Sequence, residues 1–420
     1  MRSTLVFILI IGFFFSGQAW AQPDLGAMQS QISELSQMVR DLKQTVEKQQ
    51  LEIAELRKDF PAQPPFAPDE DITTSQRSGA QFVPEIGVVG DVVFRSDSPK
   101  TDGGGSDRVS VREVELILGG SVGPHSHFDS TIAFTDEGAV ELEEAYFTGS
   151  ELPLDITARA GRFKPSIGKV LAFHHDALDT VDEPLVIQRY FGTEGMSKTG
   201  ADVTKSLGLP WPVEHQLTLG ILEGGNGEDG TAFGETKRRP TIYGHLKNYL
   251  DISDTTNLEI GLSDAIGSRD ADSAMEVNVF GVDGTLIHYL NPNQNIKLQG
   301  EVFNLNRSES QLETVDDTTG AIFLNDVDGN VWGGYALLDF RIHSKWAAGF
   351  RYDQVQIVNR PADSPEQSDQ GYSGYLTFYQ SEFMRWRAQV SHFDLTDGSE
   401  DNQIFLQGTF TVGEHHGGGH

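Results

Sequence analysis

Two kinds of side chain alternate in the stretch Trp332-Gly333-Gly334-Tyr335-Ala336-Leu337-Leu338-Asp339-Phe340-Arg341-Ile342. One parity is apolar or aromatic, whereas Asp339 and Arg341 fall on the other. Successive side chains of a β-strand point to opposite faces, so this strand has one apolar and one polar face. The segments 257–262 and 386–391 repeat the pattern. Such a sheet suits a barrel with lipid outside and water inside.

Segments of this kind follow one another from about residue 84 to residue 412. Sixteen are predicted, with the spans 84–95, 109–121, 125–135, 140–149, 153–164, 197–207, 213–223, 238–251, 256–266, 275–289, 295–306, 330–342, 345–357, 371–381, 384–394 and 402–412. An even number is typical of closed antiparallel barrels. The predicted fold class is therefore all-β, a 16-stranded antiparallel transmembrane β-barrel preceded by an α-helical coiled coil. Short connections such as 343–344 predict periplasmic turns, and longer ones such as 307–328 and 359–370 predict extracellular loops.

The composition argues against several classes of function. The chain has 62 acidic and 31 basic residues, which opposes nucleic acid as a partner because phosphates attract basic surfaces. It has no cysteine and therefore no disulfide scaffold. After the N-terminus no apolar run reaches about 18 residues, so no transmembrane helix is expected. Neither a G-x-S-x-G, an H-E-x-x-H nor a P-loop pattern occurs, so we expect neither an enzyme nor a cofactor.

Residues 1–21 have the features of a secretory signal peptide. A basic Arg2 precedes the apolar run 5–15, and Ala19-Trp20-Ala21 forms a small-residue cleavage site. The mature chain is then expected to start at Gln22. An uncleaved membrane anchor is the alternative, but the apolar run is short for a span.

A repeat of apolar side chains every 3.5 residues follows the signal peptide. Its positions are Leu25, Met28, Ile32, Leu35, Val39, Leu42, Val46, Gln49, Ile53, Leu56 and Phe60. So narrow a stripe predicts a periplasmic coiled coil over residues 22–60 that joins copies of the chain. A single amphipathic helix lying on a domain is the alternative. The mixture of β-branched residues and leucine favours two strands, and Gln49 is placed to fix the register.

The remaining segments flank the barrel. Residues 61–80 predict a proline-rich linker, because their four prolines preclude a helix. The barrel is expected over residues 81–413, and residues 414–420 form a histidine-rich tail. The tail contains three weak candidates for metal ligands, His415, His416 and His420. An unstructured tail without a metal is the alternative.

Charged residues on the polar parity of the strands are candidates for lining a pore. They are Arg159, Arg341, Arg351, Arg385, Arg387, Asp155, Asp339 and Asp353. A row of guanidinium groups would lower the barrier for anions. The alternative is a set of arginine–aspartate ladders whose charges cancel. Asp283 falls on the apolar parity of its strand, so that only a β-bulge would explain it.

The long connection 166–197 follows the fifth predicted strand and suits a loop folded into the barrel as a constriction. Its candidate residues are Lys169, His174, His175, Asp176, Asp179, Asp182 and Arg189. The pattern His-His-Asp-x-x-Asp-x-x-Asp offers nitrogen and oxygen ligands for a divalent metal. Solvated side chains without a metal are the alternative.

Aromatic residues on the apolar parity predict girdles at the two membrane surfaces. They are Trp332, Phe340, Trp346, Phe350, Tyr352, Phe378, Trp386 and Phe410. Aromatic side chains scattered through a core are the alternative.

Several stretches also carry a resemblance to a known family. Ala160-Gly161-Arg162-Phe163-Lys164-Pro165 is similar to a G-x-F-K motif with a nearby proline. Further matches, in the same order and spacing, are residues 111–120, 144–147, 281–284, 299–302, 333–336, 349–353 and 375–383. Over roughly residues 82–413 the chain resembles the phosphate-selective porin (O/P-type) family and related outer-membrane porins, some of which carry an N-terminal coiled coil.

The resemblance implies a trimeric porin of sixteen strands in the outer membrane of a Gram-negative bacterium. Its partners would be membrane lipid, small hydrophilic solutes or ions, with anions such as phosphate or carboxylates as candidates, and further copies of the chain. Two features depart from the family. The chain ends in Gly417-Gly418-Gly419-His420 and not in an aromatic residue, and it is rich in acidic residues.

Two other functions are compatible with the same residues. In one, the coiled coil tethers the outer membrane to the cell wall and the barrel is only an anchor. In the other, the chain is a secreted β-rich carbohydrate-binding protein or hydrolase. Passive diffusion through a porin is the function that the pattern favours.

Overall fold

The computed structural model describes residues 84–98, 107–136, 138–193, 195–210, 213–225, 232–233, 239–269, 276–315, 322–357 and 367–413. Within these ranges the side chains of 309–315 and 322–328 are not described. The predicted signal peptide, coiled coil and linker lie outside the described residues, and so does the histidine-rich tail. Their predictions therefore stay predictions.

Within the described residues, sixteen strands form one closed antiparallel barrel in which every strand pairs with its neighbours in sequence and β1 pairs with β16. The strands are β1 Glu85–Ser98, β2 Arg108–Gly123, β3 Ser126–Phe134, β4 Val140–Leu152, β5 Ile156–Phe163, β6 Lys198–Leu207, β7 Glu214–Leu222, β8 Thr241–Ser253, β9 Thr256–Ser268, β10 Glu276–Asn291, β11 Gln294–Val315, β12 Ile322–His343, β13 Trp346–Val355, β14 Asp369–Ser381, β15 Met384–Asp394 and β16 Glu400–Gly413. The predicted all-β class, strand number and antiparallel closure are confirmed.

The connections at the two ends of the barrel differ in length. At the turn end they are the short links 124–125, 153–155, 208–213, 254–255, 292–293, 344–345 and 382–383. At the loop end they are 99–107, 135–139, 164–197, 223–240, 269–275, 316–321, 356–368 and 395–399. Both termini of the barrel lie at the turn end, where Gly87 is opposite Gly413.

One predicted loop is wrong. Most of the segment 307–328, expected as an extracellular loop, continues the hairpin of β11 and β12, whose register runs from Arg307 opposite Gly329 to Val315 opposite Ile322. The segment is polar, and polarity on both faces is typical of loops. A two-stranded extension needs only paired backbone groups, however, and the pairing of β11 with β12 continues through these residues.

The outer face of the barrel is apolar. Leu298, Val302, Leu338, Phe350 and Leu406 project from it and are each between 46% and 53% exposed. The aromatic residues predicted for the apolar parity lie on this face as well. Trp346 packs against Phe378 near the turn end, with ring centroids 4.7 Å apart, and Tyr352 packs against Tyr372 nearer the loop end, at 5.2 Å. A continuous apolar surface of this extent requires an apolar surrounding.

The core lies inside the barrel, around the connection between β5 and β6, which we call the constriction segment (residues 164–197). It contains two 3₁₀ turns, Val170–Ala172 and His175–Ala177, and the helix α1, Leu185–Phe191. Ile167, Val186 and Phe191 are fully buried against interior residues such as Phe303 and Leu305. In the described part of the chain, no helix has the length and apolarity that crossing a membrane requires.

Candidate functional site

The constriction segment is first anchored to the wall formed by β9 and β11. The backbone N–H of Gly168 donates to Ser263 Oγ at 2.8 Å. The next two N–H groups, of Lys169 and Val170, donate to the two carboxylate oxygens of Glu301 at 2.7 and 2.9 Å. Gly168 has a φ of +67°, and a Cβ atom there would collide with Glu301 and Phe303. The anchor therefore requires glycine at this position.

The segment then reaches the wall formed by β13 and β15. Arg351 is fully buried and donates to Asp353 at 2.7 Å and to Asp182 of the segment at 3.0 Å. Arg387 donates to the carbonyl oxygens of Thr180 and Leu178 at 2.7 and 2.9 Å. Both guanidinium groups hold the segment in place. Because its partners lie on several sides of the barrel, the segment crosses the interior.

Three predicted pore-lining residues are therefore corrected. Arg351, Asp353 and Arg387 do point inward, but the constriction segment covers them and each is at most 3% exposed. The alternation of a strand indicates which face a side chain occupies, but not what a distant segment places over it. Asp155 is also corrected: it lies in the exposed turn between β4 and β5, with a φ of +57°, and not in a strand.

The other predicted pore-lining residues also lie on the interior face. Arg159 forms an ion pair with Asp202 at 2.7 Å and stacks over Phe163. Asp339 accepts a hydrogen bond from the Tyr375 hydroxyl at 2.9 Å. The last two, Arg341 and Arg385, are partly exposed. The Arg341 guanidinium stacks over Tyr379, and Arg385 donates a hydrogen bond to Thr409 Oγ1.

The side chains of the predicted metal pattern do not meet in one place. Asp179 binds Lys297 at 2.6 Å and Asp182 binds Arg351 at 3.0 Å, on different parts of the wall. Outside that pattern, Lys169 pairs with Glu259 and Arg189 with Asp369. The prediction of a single metal site formed by residues 174–182 is therefore wrong. The segment turns between these residues, so that their side chains point toward different strands.

His174 and His175 instead contact acidic residues of β2 and β4. The His174 Nδ1 atom lies 3.3 Å from Glu115 and 2.9 Å from Glu143, and its Nε2 atom lies 3.0 Å from Glu144. The His175 Nδ1 atom lies 3.3 Å from Glu113. Four buried or half-buried carboxylates thus surround two neighbouring imidazole rings.

Burial and these carboxylates shift the pKa values of the two histidines in opposite directions. Burial and the Lys164 ammonium lower the pKa of His174, but its contacts with Glu115, Glu143 and Glu144 outweigh them and raise that pKa well above its usual value. Burial and Arg112 lower the pKa of His175, whereas Glu113 raises it, and the net shift is upward. The cluster therefore favours positive charge at both rings.

Two β-bulges create this cluster, and the sequence pattern does not reveal them. In β4 the register with β3 shifts at Thr131, so that the consecutive residues Glu143 and Glu144 both face inward. In β2 the register with β1 shifts at Asp91, and Arg112 and Glu113 both face inward. Strict alternation assigns one residue of each pair to the outer face.

Asp283 also lies on the inner face, 2% exposed, in the same row as Val277 and Val279. No bulge is needed at this position. The constriction segment packs against this part of the wall, and the inner parity of β10 is therefore apolar. An apolar parity therefore does not indicate the outer face in this strand.

A cavity of about 660 Å³, which we call the vestibule, opens between the constriction segment and the walls at the loop end. Its charged lining residues are Arg95, Arg108, Arg112, Glu113, Asp136, Glu141, Glu143, His175, Asp182, Glu183, Arg189 and Asp401. Carboxylates outnumber guanidinium groups in this lining. Residues of the constriction segment, among them Asp182 and Glu183, form part of this surface.

Comparison with known proteins gives the fold and one relative. No family model matches the chain. A protein of Aquifex aeolicus (strain VF5), described only as uncharacterized, is 27% identical over 335 residues, which cover 72% of this chain and 68% of the relative.

Solved structures of outer-membrane channels share the barrel. The outer membrane channel DcaP of Acinetobacter baumannii has a TM-score of 0.50 at 12% identity, over 81% of this chain and 99% of that one. OprB of Pseudomonas putida has a TM-score of 0.53 at 10% identity, over 80% and 95%. An anion-selective porin from Comamonas acidovorans also has a TM-score of 0.53 at 10% identity, over 79% and 100%. At these identities the similarity shows a common fold.

Proposed function

We propose that this protein is a porin of the outer membrane of a Gram-negative bacterium, which lets small hydrophilic solutes diffuse passively and catalyses no reaction. The observation that carries the proposal is a closed barrel with an apolar outer face, whose interior has a charged vestibule and buried ion pairs and is crossed by the constriction segment. In lipid every backbone polar group must pair internally, and closure leaves no open edge. Barrels of sixteen strands are wide enough for an aqueous channel.

The constriction segment sets the size of the solutes in this proposal. It is held to β9, β11, β13 and β15 by the hydrogen bonds of Gly168, Lys169, Thr180 and Asp182. An element anchored to several walls narrows the barrel without closing its two mouths. Solutes smaller than the remaining gap pass, and larger ones stop in the vestibule.

We further propose that the channel favours cations, in place of the anions that the arginine-rich strands predict. Arg351 and Arg387 are buried, and Arg159 is paired with Asp202, so these groups offer little to a passing anion. The vestibule has an excess of carboxylates, which raise the local concentration of cations.

The assembly is also part of the proposal. The resemblance to the phosphate-selective porin family favours a homotrimer, and the heptad repeat of residues 22–60 supplies a means of joining copies outside the barrel. A repeat of this composition leans toward two strands. We propose the trimer, because the porin family that the chain resembles is trimeric and some of its members carry an N-terminal coiled coil.

Planar-bilayer recording of the purified protein tests the channel and its charge preference together. We expect stepwise increases in conductance. In a KCl gradient we expect a reversal potential with the same sign as the K⁺ equilibrium potential. The double variant Glu141→Gln and Asp401→Asn should shift that potential toward Cl⁻, because it removes two vestibule carboxylates. Asp155→Asn, in a turn at the opposite end, is the matched control and should leave it unchanged. Absence of conductance from inserted protein would refute the channel, whereas a native preference for Cl⁻ would refute only the charge proposal.

A further inference from the structure

We propose that Glu115, Glu143 and His174 form a binding site for a divalent transition-metal ion, which ties the constriction segment to the barrel wall. One ring nitrogen and two carboxylate oxygens of these residues lie within 4.8 Å of one another. Imidazole nitrogen together with carboxylate oxygen is a donor set that suits Zn²⁺ and related ions. The ligands come from β2, β4 and the segment, so the ion would join three elements.

The fourth residue of the cluster, Glu144, orients the histidine. Its Oε2 atom lies 3.0 Å from His174 Nε2, and its Oε1 atom accepts a hydrogen bond from the backbone N–H of Lys164 at 2.8 Å. A carboxylate on the second ring nitrogen is the usual partner of a metal-binding histidine. With an ion bound, this contact would keep the hydrogen on Nε2 and leave the Nδ1 lone pair for the ion.

Three buried atoms of the cluster have no hydrogen-bond partner outside it, and they are His174 Nδ1, Glu115 Oε2 and Glu143 Oε2. Two of them, His174 Nδ1 and Glu143 Oε2, lie only 2.9 Å from each other. Glu115 is 1% exposed and His174 is 7% exposed, so the unpartnered Glu115 oxygen lies away from the bulk solvent. A single N–H group at Nδ1 can donate a hydrogen bond to only one carboxylate. A cation between the three groups can bind both carboxylates and the ring nitrogen at once.

The charges around the site leave an excess of negative charge that a divalent ion would partly neutralise. Four carboxylates, of Glu113, Glu115, Glu143 and Glu144, lie close to two permanent cations, Arg112 and Lys164. Glu183 adds a further carboxylate near Lys164 and His175, and Asp91 pairs with Arg112, so the negative charge exceeds the two cations by more than the charge of one such ion. Two protons, one on His174 and one on His175, would supply the same charge, and the experiment below separates these two cases.

The vestibule gives an ion access to the site. Its lining includes Glu143, and the neighbouring Glu113 and His175 also face it. A metal ion in the solution at the loop end therefore reaches the ligands without passing the constriction segment. Glu115 lies on β2 and Glu143 on β4, and both strands pair with β3. The sheet therefore holds these two ligands in position before the ion arrives.

Zinc titration of the full chain tests the proposal. His415, His416 and His420 are first replaced by glutamine, because they would bind Zn²⁺ on their own. The purified protein is treated with EDTA, and ZnCl₂ is added in a calorimeter. We expect one Zn²⁺ per chain. The substitutions Glu115→Gln and Glu143→Gln should abolish this binding, and Glu144→Gln should weaken it about 10–100-fold, the usual loss for a group that orients a ligand.

The matched control is Glu113→Gln. It removes a carboxylate of the same strand, but one that contacts His175 and not His174, and we expect affinity to stay within about 3-fold of the parent protein, well below the loss for a group that orients a ligand. Failure of the parent to bind Zn²⁺ would show that protons alone balance the cluster and would overturn the proposal. Binding by Glu115→Gln or Glu143→Gln as tight as by Glu113→Gln would also overturn it.

A spectroscopic measurement guards against variants that fail to fold. Co²⁺ bound through nitrogen and oxygen absorbs visible light, and the parent should develop this absorption whereas His174→Gln should not. An identical spectrum from folded His174→Gln would contradict the assignment. Because no transport is measured, a negative result here leaves the channel proposal standing.

Discussion

Arg351 has an unusual position for a charged side chain. It is fully buried, and its guanidinium donates to Asp353, Thr180 and Asp182. Breaking a buried pair by removing one partner is costly, because the remaining charge is left uncompensated in a medium of low dielectric constant. The arginine thus joins β13 to the constriction segment through charge as well as through hydrogen bonds.

The substitution Arg351→Met should therefore destabilise the protein strongly. We expect a loss of about 3–5 kcal/mol in the free energy of unfolding, because Asp353 and Asp182 lose their common partner. Urea titration followed by intrinsic fluorescence measures it. Arg385→Met is the control: that arginine is partly exposed and donates to Thr409, so its loss should cost about 1 kcal/mol or less. Equal losses in the two variants would show that Arg351 is not an anchor.

At the residue scale the sequence indicates on which face of a strand a side chain lies, but not which residues that side chain contacts. Alternation places Arg159, Arg341, Arg351, Arg385 and Arg387 on the inner face, where the structure has them. It does not reveal that Arg351 and Arg387 are covered, because the covering residues are about 170 and 210 positions away. It also assigns one of Glu143 and Glu144 to the wrong face, since a bulge leaves no signature in polarity alone.

At the scale of elements, the constriction segment is the part of the fold on which the proposed function depends most. Its first anchor is Gly168, whose N–H donates to Ser263 and whose φ is positive. Any side chain at this position would meet Glu301, the residue that accepts the next two N–H groups. The first turn of the segment is thus sensitive to a single methyl group.

The substitution Gly168→Ala should destabilise the protein through two costs. A left-handed conformation costs a non-glycine residue about 1–2 kcal/mol, and overpacking against Glu301 and Phe303 adds about 1–3 kcal/mol. Gly138→Ala separates them, because Gly138 has a φ of +82° and open space around it. We expect a larger fall of the urea midpoint for Gly168→Ala than for Gly138→Ala. Equal midpoints would mean that the anchor accommodates the methyl group.

The existence of the elements was easier to predict than their ends. All sixteen strands were expected from period-two alternation, because most of each strand has one apolar face. The ends of β11 and β12 are not expected from it, because residues 307–328 are rich in polar residues without a regular alternation. A constriction from the connection after β5 was expected from its length, but its packing against Phe303 and Leu305 was not.

The whole molecule has two surfaces with opposite requirements. Its outer face exposes Leu298, Val302 and Leu406, which need an apolar surrounding. Its interior contains ion pairs such as Arg159 with Asp202 and Lys169 with Glu259, which need water or compensating charge. A closed barrel in a membrane meets both requirements at once. The constriction segment forms one side of the vestibule at the loop end.

Liposome swelling measures the central property directly, which is diffusion of neutral sugars of increasing size through a barrel narrowed by the constriction segment. Native protein and a variant in which a short glycine–serine linker replaces residues 165–196 are reconstituted at equal density. The linker spans the gap because Phe163 and Lys198 are paired neighbours. We expect native protein to admit small sugars and the folded variant to admit larger ones as well. No swelling with either protein, or an identical size limit for both, would contradict a channel whose width this segment sets.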